Sequence, residues 1–64
     1  MVYDNILREC EERGITIAKL EKEAGLKNGT IRKWGKEDGN PTIASLEKVA
    51  LYLKVPVAWL VRGV

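Results

Sequence analysis

The chain has 64 residues, a formal net charge of +2 and 45% hydrophobic residues, with no histidine and one cysteine. This length allows one domain, and the absence of histidine excludes the common metal sites and His-based catalysis. One cysteine can form neither a zinc cluster nor an internal disulfide, and no apolar run approaches the roughly 18 residues of a membrane span. We therefore predict a soluble, cytoplasmic protein without a cofactor, without membrane association and without enzymatic activity.

Apolar residues recur at helical spacing along almost the whole chain. In chain order, the predicted helices are a segment that Gly14 ends, a segment capped by Thr16 and ended by Gly25, a short segment beginning at Asn28, a segment opened by Pro41-Thr42, and a last one opened by Pro56 and ended by Gly63. Their apolar faces are Val2, Ile6, Leu7 and Cys10; Ile17, Leu20 and Ala24; Ile31 and Trp34; Ile43, Leu46, Val49, Ala50 and Leu53; and Val57, Leu60 and Val61. No segment favours a strand, so the prediction is an all-α fold of five short helices.

The positive charge is concentrated in residues 27–36, which hold four bases and no acid. Residues 1–26 hold six acids and four bases, and residues 37–64 hold three of each. On a helix that begins at Asn28, Ile31 and Trp34 share one side, and the basic residues lie opposite with Gly29 among them. We expect the Asn28 side chain to cap this helix and Gly29 to allow close approach of a partner. A short charged run is more often just a solvated face, but the missing acids favour insertion into an anionic groove.

The spacing around this basic segment is typical of a helix-turn-helix. The residues that carry it are Leu20, Gly25, Ile31 and Trp34, with Pro41 seven positions after the tryptophan. Through them the chain resembles the phage repressor and Cro-type family (XRE-like, lambda-repressor-like), and the tail "LEKVALYLKVPVAWLVRG" is similar to that family's fourth and fifth helices. The resemblance implies a lambda-repressor-like domain over residues 1–64, with the helix-turn-helix at about 16–36. It also implies sequence-specific duplex DNA binding by a transcriptional regulator, most simply a phage-type repressor.

Several positions depart from the family's usual residues. They are Glu21 in place of alanine, Ile17 in place of a phosphate-binding glutamine, Gly35 and Cys10 in place of a glutamate–arginine pair, and Glu37 in place of a loop glycine. A carboxylate at position 21 must stay at the rim of the core or find a donor. Arg32 and a free N–H group of helix three are the two alternatives.

By resemblance, helix three (about 28–35) would enter the major groove while helix two lies across the DNA backbone. The expected base-contacting residues are Lys27, Asn28, Arg32 and Lys33, with Arg32 able to reach a base or a phosphate. The expected phosphate contacts, chosen because they lie at helix starts and at the loop edge, are Thr16, Thr30, Lys36 and Asn40.

The expected partner is double-stranded DNA with a pseudo-palindromic operator, bound by a weak homodimer. The candidate dimer surface is the C-terminal end, with Trp59, Val61 and Val64, and a chain that pairs only on DNA is equally consistent with the sequence. The alternative function is a protein-interaction module on the same scaffold, regulator-binding or anti-repressor-like, with little DNA affinity. The acidic first helix and the missing glutamine favour this alternative slightly, whereas the basic third helix argues against it more strongly.

Overall fold

The computed structural model describes residues 2–36 and 40–63, and these form five α-helices. In chain order they are α1 (Val2–Arg13), α2 (Ile17–Ala24), α3 (Thr30–Trp34), α4 (Ile43–Leu53) and α5 (Val57–Arg62). The described part of the chain contains no strand, so the predicted all-α fold of five short helices is confirmed. Within it, no helix is long and apolar enough to cross a lipid bilayer.

Local signals fix most helix ends where the sequence predicts them. The Thr16 hydroxyl accepts a hydrogen bond from Lys19 N at 3.0 Å, and the Thr42 hydroxyl accepts one from Ser45 N at 3.1 Å. Each bond satisfies an N–H group that has no partner inside its own helix. At the other end of α4, Lys54 adopts a left-handed conformation with φ 60°, the one positive φ outside glycine in residues 2–36 and 40–63.

The core lies where α2 packs on α4 and α1 packs on α5. Its fully buried apolar side chains are Ile6, Cys10, Leu20, Ile31, Val49, Leu53 and Leu60. Trp34 joins them with 6% of its surface exposed. From α3, Ile31 and Trp34 join this cluster, whereas the Arg32 and Lys33 side chains are exposed and Thr30 is half-buried.

Polar side chains of α1 hold the C-terminal ends of α4 and α5. The Asn5 amide donates to Leu60 O at 2.7 Å, and the Arg13 guanidinium donates to Leu53 O at 2.6 Å. Arg13 also donates to the carboxylate of Glu9, which is buried. These bonds satisfy carbonyl groups in the last turns of two helices, so α1 closes the far side of the bundle.

Two sequence expectations about the helices are wrong in detail. Helix three spans Thr30–Trp34, not 28–35, because its first cap position is Gly29. Ile43 and Val61, expected on the apolar faces of the fourth and fifth helices, are 66% and 51% exposed. The buried face of α4 is formed by Leu46, Val49, Ala50 and Leu53, and α5 buries Leu60. The expectations for Glu37 and Val64 fall on positions outside the described residues.

Candidate nucleic-acid interface

A tight turn joins α2 to α3 and sets the angle between them. Gly25 ends α2 in the left-handed region with φ 83°. Its N–H bonds the carbonyl of Lys22, and the Leu26 N–H bonds the carbonyl of Glu21 at 2.8 Å, which closes the last turn of α2. Residues with a Cβ are strained at this φ, which explains why position 25 holds a glycine.

The start of α3 is capped from α2 and not by Asn28. The cap position is Gly29, with φ 92°, and no side chain of the segment itself caps the helix. Instead, the carboxylate of Glu21 accepts from Gly29 N at 2.9 Å and from Ile31 N at 2.7 Å. Only 1% of Glu21 is exposed. The prediction that Asn28 caps the helix is therefore wrong, because the buried carboxylate of Glu21 already occupies those N–H groups.

Glu21 thus takes the second of the two alternatives considered for it, a free N–H of helix three. A carboxylate at a helix N-terminus is favoured both by the unpaired N–H groups and by the helix dipole. The bonds fix the first turn of α3 to the last turn of α2. Gly29 serves this arrangement through its positive φ, and its N–H faces Glu21.

The outward side of α3 and its flanking residues is basic. We call Lys27, Arg32, Lys33 and Lys36 together the basic surface. All four side chains are exposed, whereas Ile31 and Trp34 on the opposite side are buried. Within the described residues none of the four has an ion-pair or side-chain hydrogen-bond partner, so their positive charges are not neutralised internally.

The remaining expected contact residues are exposed or half-buried. Asn28 is exposed in the turn before α3, and its side-chain amide has no partner among the described residues. Thr16 and Asn40 are exposed, and Thr30, the first residue of α3, is half-buried. The Thr16 hydroxyl accepts from Lys19 N and keeps its own proton available for donation to a phosphate oxygen.

Gly35 and Cys10, the small residues that stand in place of the family's glutamate–arginine pair, both have closely packed neighbours. A Cβ on Gly35 would lie 3.0 Å from a ring carbon of Tyr3, which is too close for an ordinary contact. Cys10 is 1% exposed, and burial raises the pKa of its thiol. A glutamate at position 35 would require the Tyr3 ring of α1 to shift by a few tenths of an ångström. Glycine at position 35 therefore fits the close packing of α1 against the end of α3.

The sequence raised a free N–H of helix three as one possible partner for Glu21, but it did not decide between this group and Arg32, and it assigned the cap of helix three to Asn28. The available signal was a charged residue at a position where the helical spacing calls for burial, directly after Leu20. A buried acid needs donors, and the nearest unpaired donors in such a fold are the first N–H groups of the following helix.

The order and packing of these helices define a helix-turn-helix domain. The model of a helix-turn-helix family matches residues 6–60, which is most of the chain. The chain therefore belongs to this family, the XRE-type family that includes Cro and C1-like repressors. Its members are DNA-binding transcription regulators and generally not enzymes. No curated protein and no solved structure matches the chain significantly.

Proposed function

We propose that this chain binds duplex DNA sequence-specifically, as the DNA-binding domain of a phage-type repressor acting in the bacterial cytoplasm. The observation that carries the proposal is the basic surface, four exposed cations without partners among residues 2–36 and 40–63, around a helix whose opposite side is anchored in the core. In this arrangement α3 enters the major groove and α2 crosses the DNA backbone. Residues 1–64 act as a single domain, because the core draws on α1 through α5.

The proposed base contacts come from Lys27, Asn28, Arg32 and Lys33. Lysine and arginine favour the acceptor atoms of guanine, and an asparagine amide pairs with adenine through two hydrogen bonds. Because Glu21 caps α3, the Asn28 amide is not needed for capping and is free for such a pair. Arg32 can reach a base or a neighbouring phosphate.

The proposed phosphate contacts are Thr16, Thr30, Lys36 and Asn40. They lie at the start of α2, at the start of α3 and at the two described residues that flank positions 37–39. Contacts of this kind set the position of a protein on the duplex and carry no direct sequence information. They would hold α3 in register while the base-contacting side chains discriminate between sequences.

A single copy should bind weakly, because four cations can neutralise only a few phosphates. We therefore propose that two copies bind a pseudo-palindromic operator as a weak homodimer, with half-sites about 34 Å apart. Pairing that occurs only on DNA is included in this proposal.

Selection of bound sites from a random duplex library tests the proposal directly. A preferred site with two-fold symmetry is expected, and binding should weaken steeply as salt rises. Lys33→Ala should reduce affinity for that site and relax preference at one base pair, with a loss of about 1–3 kcal/mol. Lys36→Ala is the matched control, since loss of a phosphate contact weakens all sequences alike. Uniform loss in both variants would refute the division of roles.

The alternative, a protein-interaction module, has one observation in its favour. α1 exposes Glu11 and Glu12, an acidic pair whose negative charges repel the phosphates of DNA. Binding to random duplex DNA at low salt distinguishes the two functions. Absence of any salt-dependent binding would favour the interaction module and reject the DNA-binding proposal.

A further inference from the structure

The outer face of α4 is more apolar than a solvent-exposed helix face requires. Leu51 is 81% exposed and Ile43 is 66% exposed, the two largest exposures among the large hydrophobic residues of the described chain. Both border an open groove that Val55 and Val57 continue toward α5. Exposed apolar residues that line one groove mark an interaction surface more often than scattered ones do.

The charges on this face form a self-complementary pattern. Ala44, Glu47, Lys48 and Leu51 follow each other at spacings of three, one and three residues, so they lie on one stripe of α4. We call these four residues the α4 stripe. Neither the Glu47 nor the Lys48 side chain has an ion-pair or hydrogen-bond partner in residues 2–36 and 40–63.

A two-fold axis through the middle of the α4 stripe would place each of its residues opposite a complementary residue of a second copy. If two α4 helices pack antiparallel with the axis between positions 47 and 48, Glu47 faces the second copy's Lys48. Under the same symmetry Leu51 faces the second copy's Ala44, a large side chain opposite a small one. An interface between identical copies must be self-complementary in this way.

We propose that the α4 stripe is the surface through which a second copy of this chain packs antiparallel. This inference rests on the proposed function, because two copies on a pseudo-palindromic site give the contact its use. It assigns the pairing to α4, and not to the C-terminal end with Trp59 and Val61. Trp59 is half-buried and its ring already lies beneath the Arg8 guanidinium, 5.4 Å from the ring centre.

The size of the surface sets the strength of the pairing. Stable interfaces take about 20–30 residues from each partner, whereas α4 has 11 residues and buries one side in its own core. The contact is therefore weak in free solution. On DNA the second copy is held at an effective concentration on the order of millimolar, which is enough to use a weak contact.

The α4 stripe leaves the DNA-binding side available. α4 packs mainly on α2 and α5, whereas α3 packs on α1 and α2. None of the four residues of the basic surface belongs to α4. Changes in the α4 stripe are thus expected to alter pairing without removing any proposed base or phosphate contact.

The test is a dilution series of the free protein followed by amide chemical shifts, up to about 2 mM, the range of effective concentration on DNA. In the unmodified protein, concentration-dependent shifts should centre on Ala44–Leu51. Leu51→Lys should abolish them, and Val61→Lys, a matched change at an exposed residue of α5, should leave them unchanged. Unchanged shifts throughout the series, or shifts centred on α5 and lost in Val61→Lys, would overturn the proposal.

Charge reversal tests the predicted register. Glu47→Lys alone and Lys48→Glu alone should each weaken pairing about three- to tenfold, because each places like charges opposite one another. The double variant should restore it, since the pairs are re-formed with opposite signs. No restoration would overturn the antiparallel arrangement. Salt-dependent binding of every variant to random duplex DNA, measured in parallel, shows separately whether the proposed function holds.

Discussion

The cap that Glu21 places on α3 can be tested by removing it. The substitution Glu21→Ala introduces the residue that is usual in this family and leaves the N–H groups of Gly29 and Ile31 without their acceptor. A hydrogen bond to a charged group contributes about 1.5–3 kcal/mol, and a buried N–H left unpaired costs about 1–3 kcal/mol. Gly29 is half-buried and water can reach it, whereas Ile31 is fully buried. We therefore expect a loss of about 2–4 kcal/mol of unfolding free energy, most of it from Ile31.

Urea unfolding followed by circular dichroism measures this loss. A domain of this size has a total stability of roughly 3–10 kcal/mol, so Glu21→Ala should shift the midpoint strongly. Glu21→Gln keeps one acceptor oxygen but turns an amide donor toward a second N–H, so an intermediate loss of about 1–2 kcal/mol is expected. Glu12→Gln removes the same charge from an exposed position and should change stability by less than about 0.5 kcal/mol.

Amide hydrogen exchange identifies where the stability is lost. In Glu21→Ala, exchange at Ile31 N should accelerate more than exchange at core amides of α4, because the first turn of α3 opens locally. A variant as stable as the unmodified protein, with unchanged protection at Ile31, would refute the capping argument. Equal acceleration at all amides would show that Glu21 contributes to global stability without fixing α3.

Three further outcomes follow from the structure. Trp34→Ala removes a buried indole and should cost about 3–5 kcal/mol, so thermal unfolding should detect its effect before any change in DNA sequence preference. Lys54→Gly relieves a left-handed conformation at the end of α4 and should raise the unfolding free energy by about 1 kcal/mol in the same assay. Stability should also fall above about pH 9. The Tyr52 hydroxyl donates to Glu23, which raises the tyrosine pKa above its ordinary value of 10.0, and burial raises that of Cys10 above 9.0. The folded state holds both protons more tightly than the unfolded chain, so this contribution is complete below the ordinary pKa values and is lost as the pH rises through the raised ones. Tyr52→Phe should flatten the upper part of the unfolding free energy measured against pH.

The helix order could be predicted from sequence because its signals are local. Thr16 and Thr42 accept from N–H groups three residues away, and Gly25 supplies a positive φ at the place where the apolar spacing breaks. Each of these signals acts within one turn of helix. Neighbouring residues therefore determine them, and the rest of the fold does not need to be known.

The start of α3 could not be predicted in the same way. Asn28 has the local preference for a cap position, but the acceptor that binds there is Glu21 of the preceding helix. The side chains of Asn28 and Glu21 are both candidate acceptors for the same N–H groups. The packing angle between α2 and α3 decides which of them reaches these groups. The hydrogen bond from the Asn5 amide to Leu60 O could not be predicted from local sequence either, because the two residues lie at opposite ends of the chain.

The short length of α3 explains why its anchors matter for recognition. A helix of five residues forms too few internal hydrogen bonds to be stable by itself in water. Its place on the domain is set by Ile31 and Trp34 in the core and by the Glu21 carboxylate at its first turn. Hydrogen bonds to base edges tolerate displacements of only about half an ångström. The proposed base contact from Lys33 therefore depends on how firmly these anchors hold the backbone of α3. Loss of the Glu21 cap should therefore reduce discrimination between DNA sequences, even though Glu21 is buried and is not among the proposed DNA contacts.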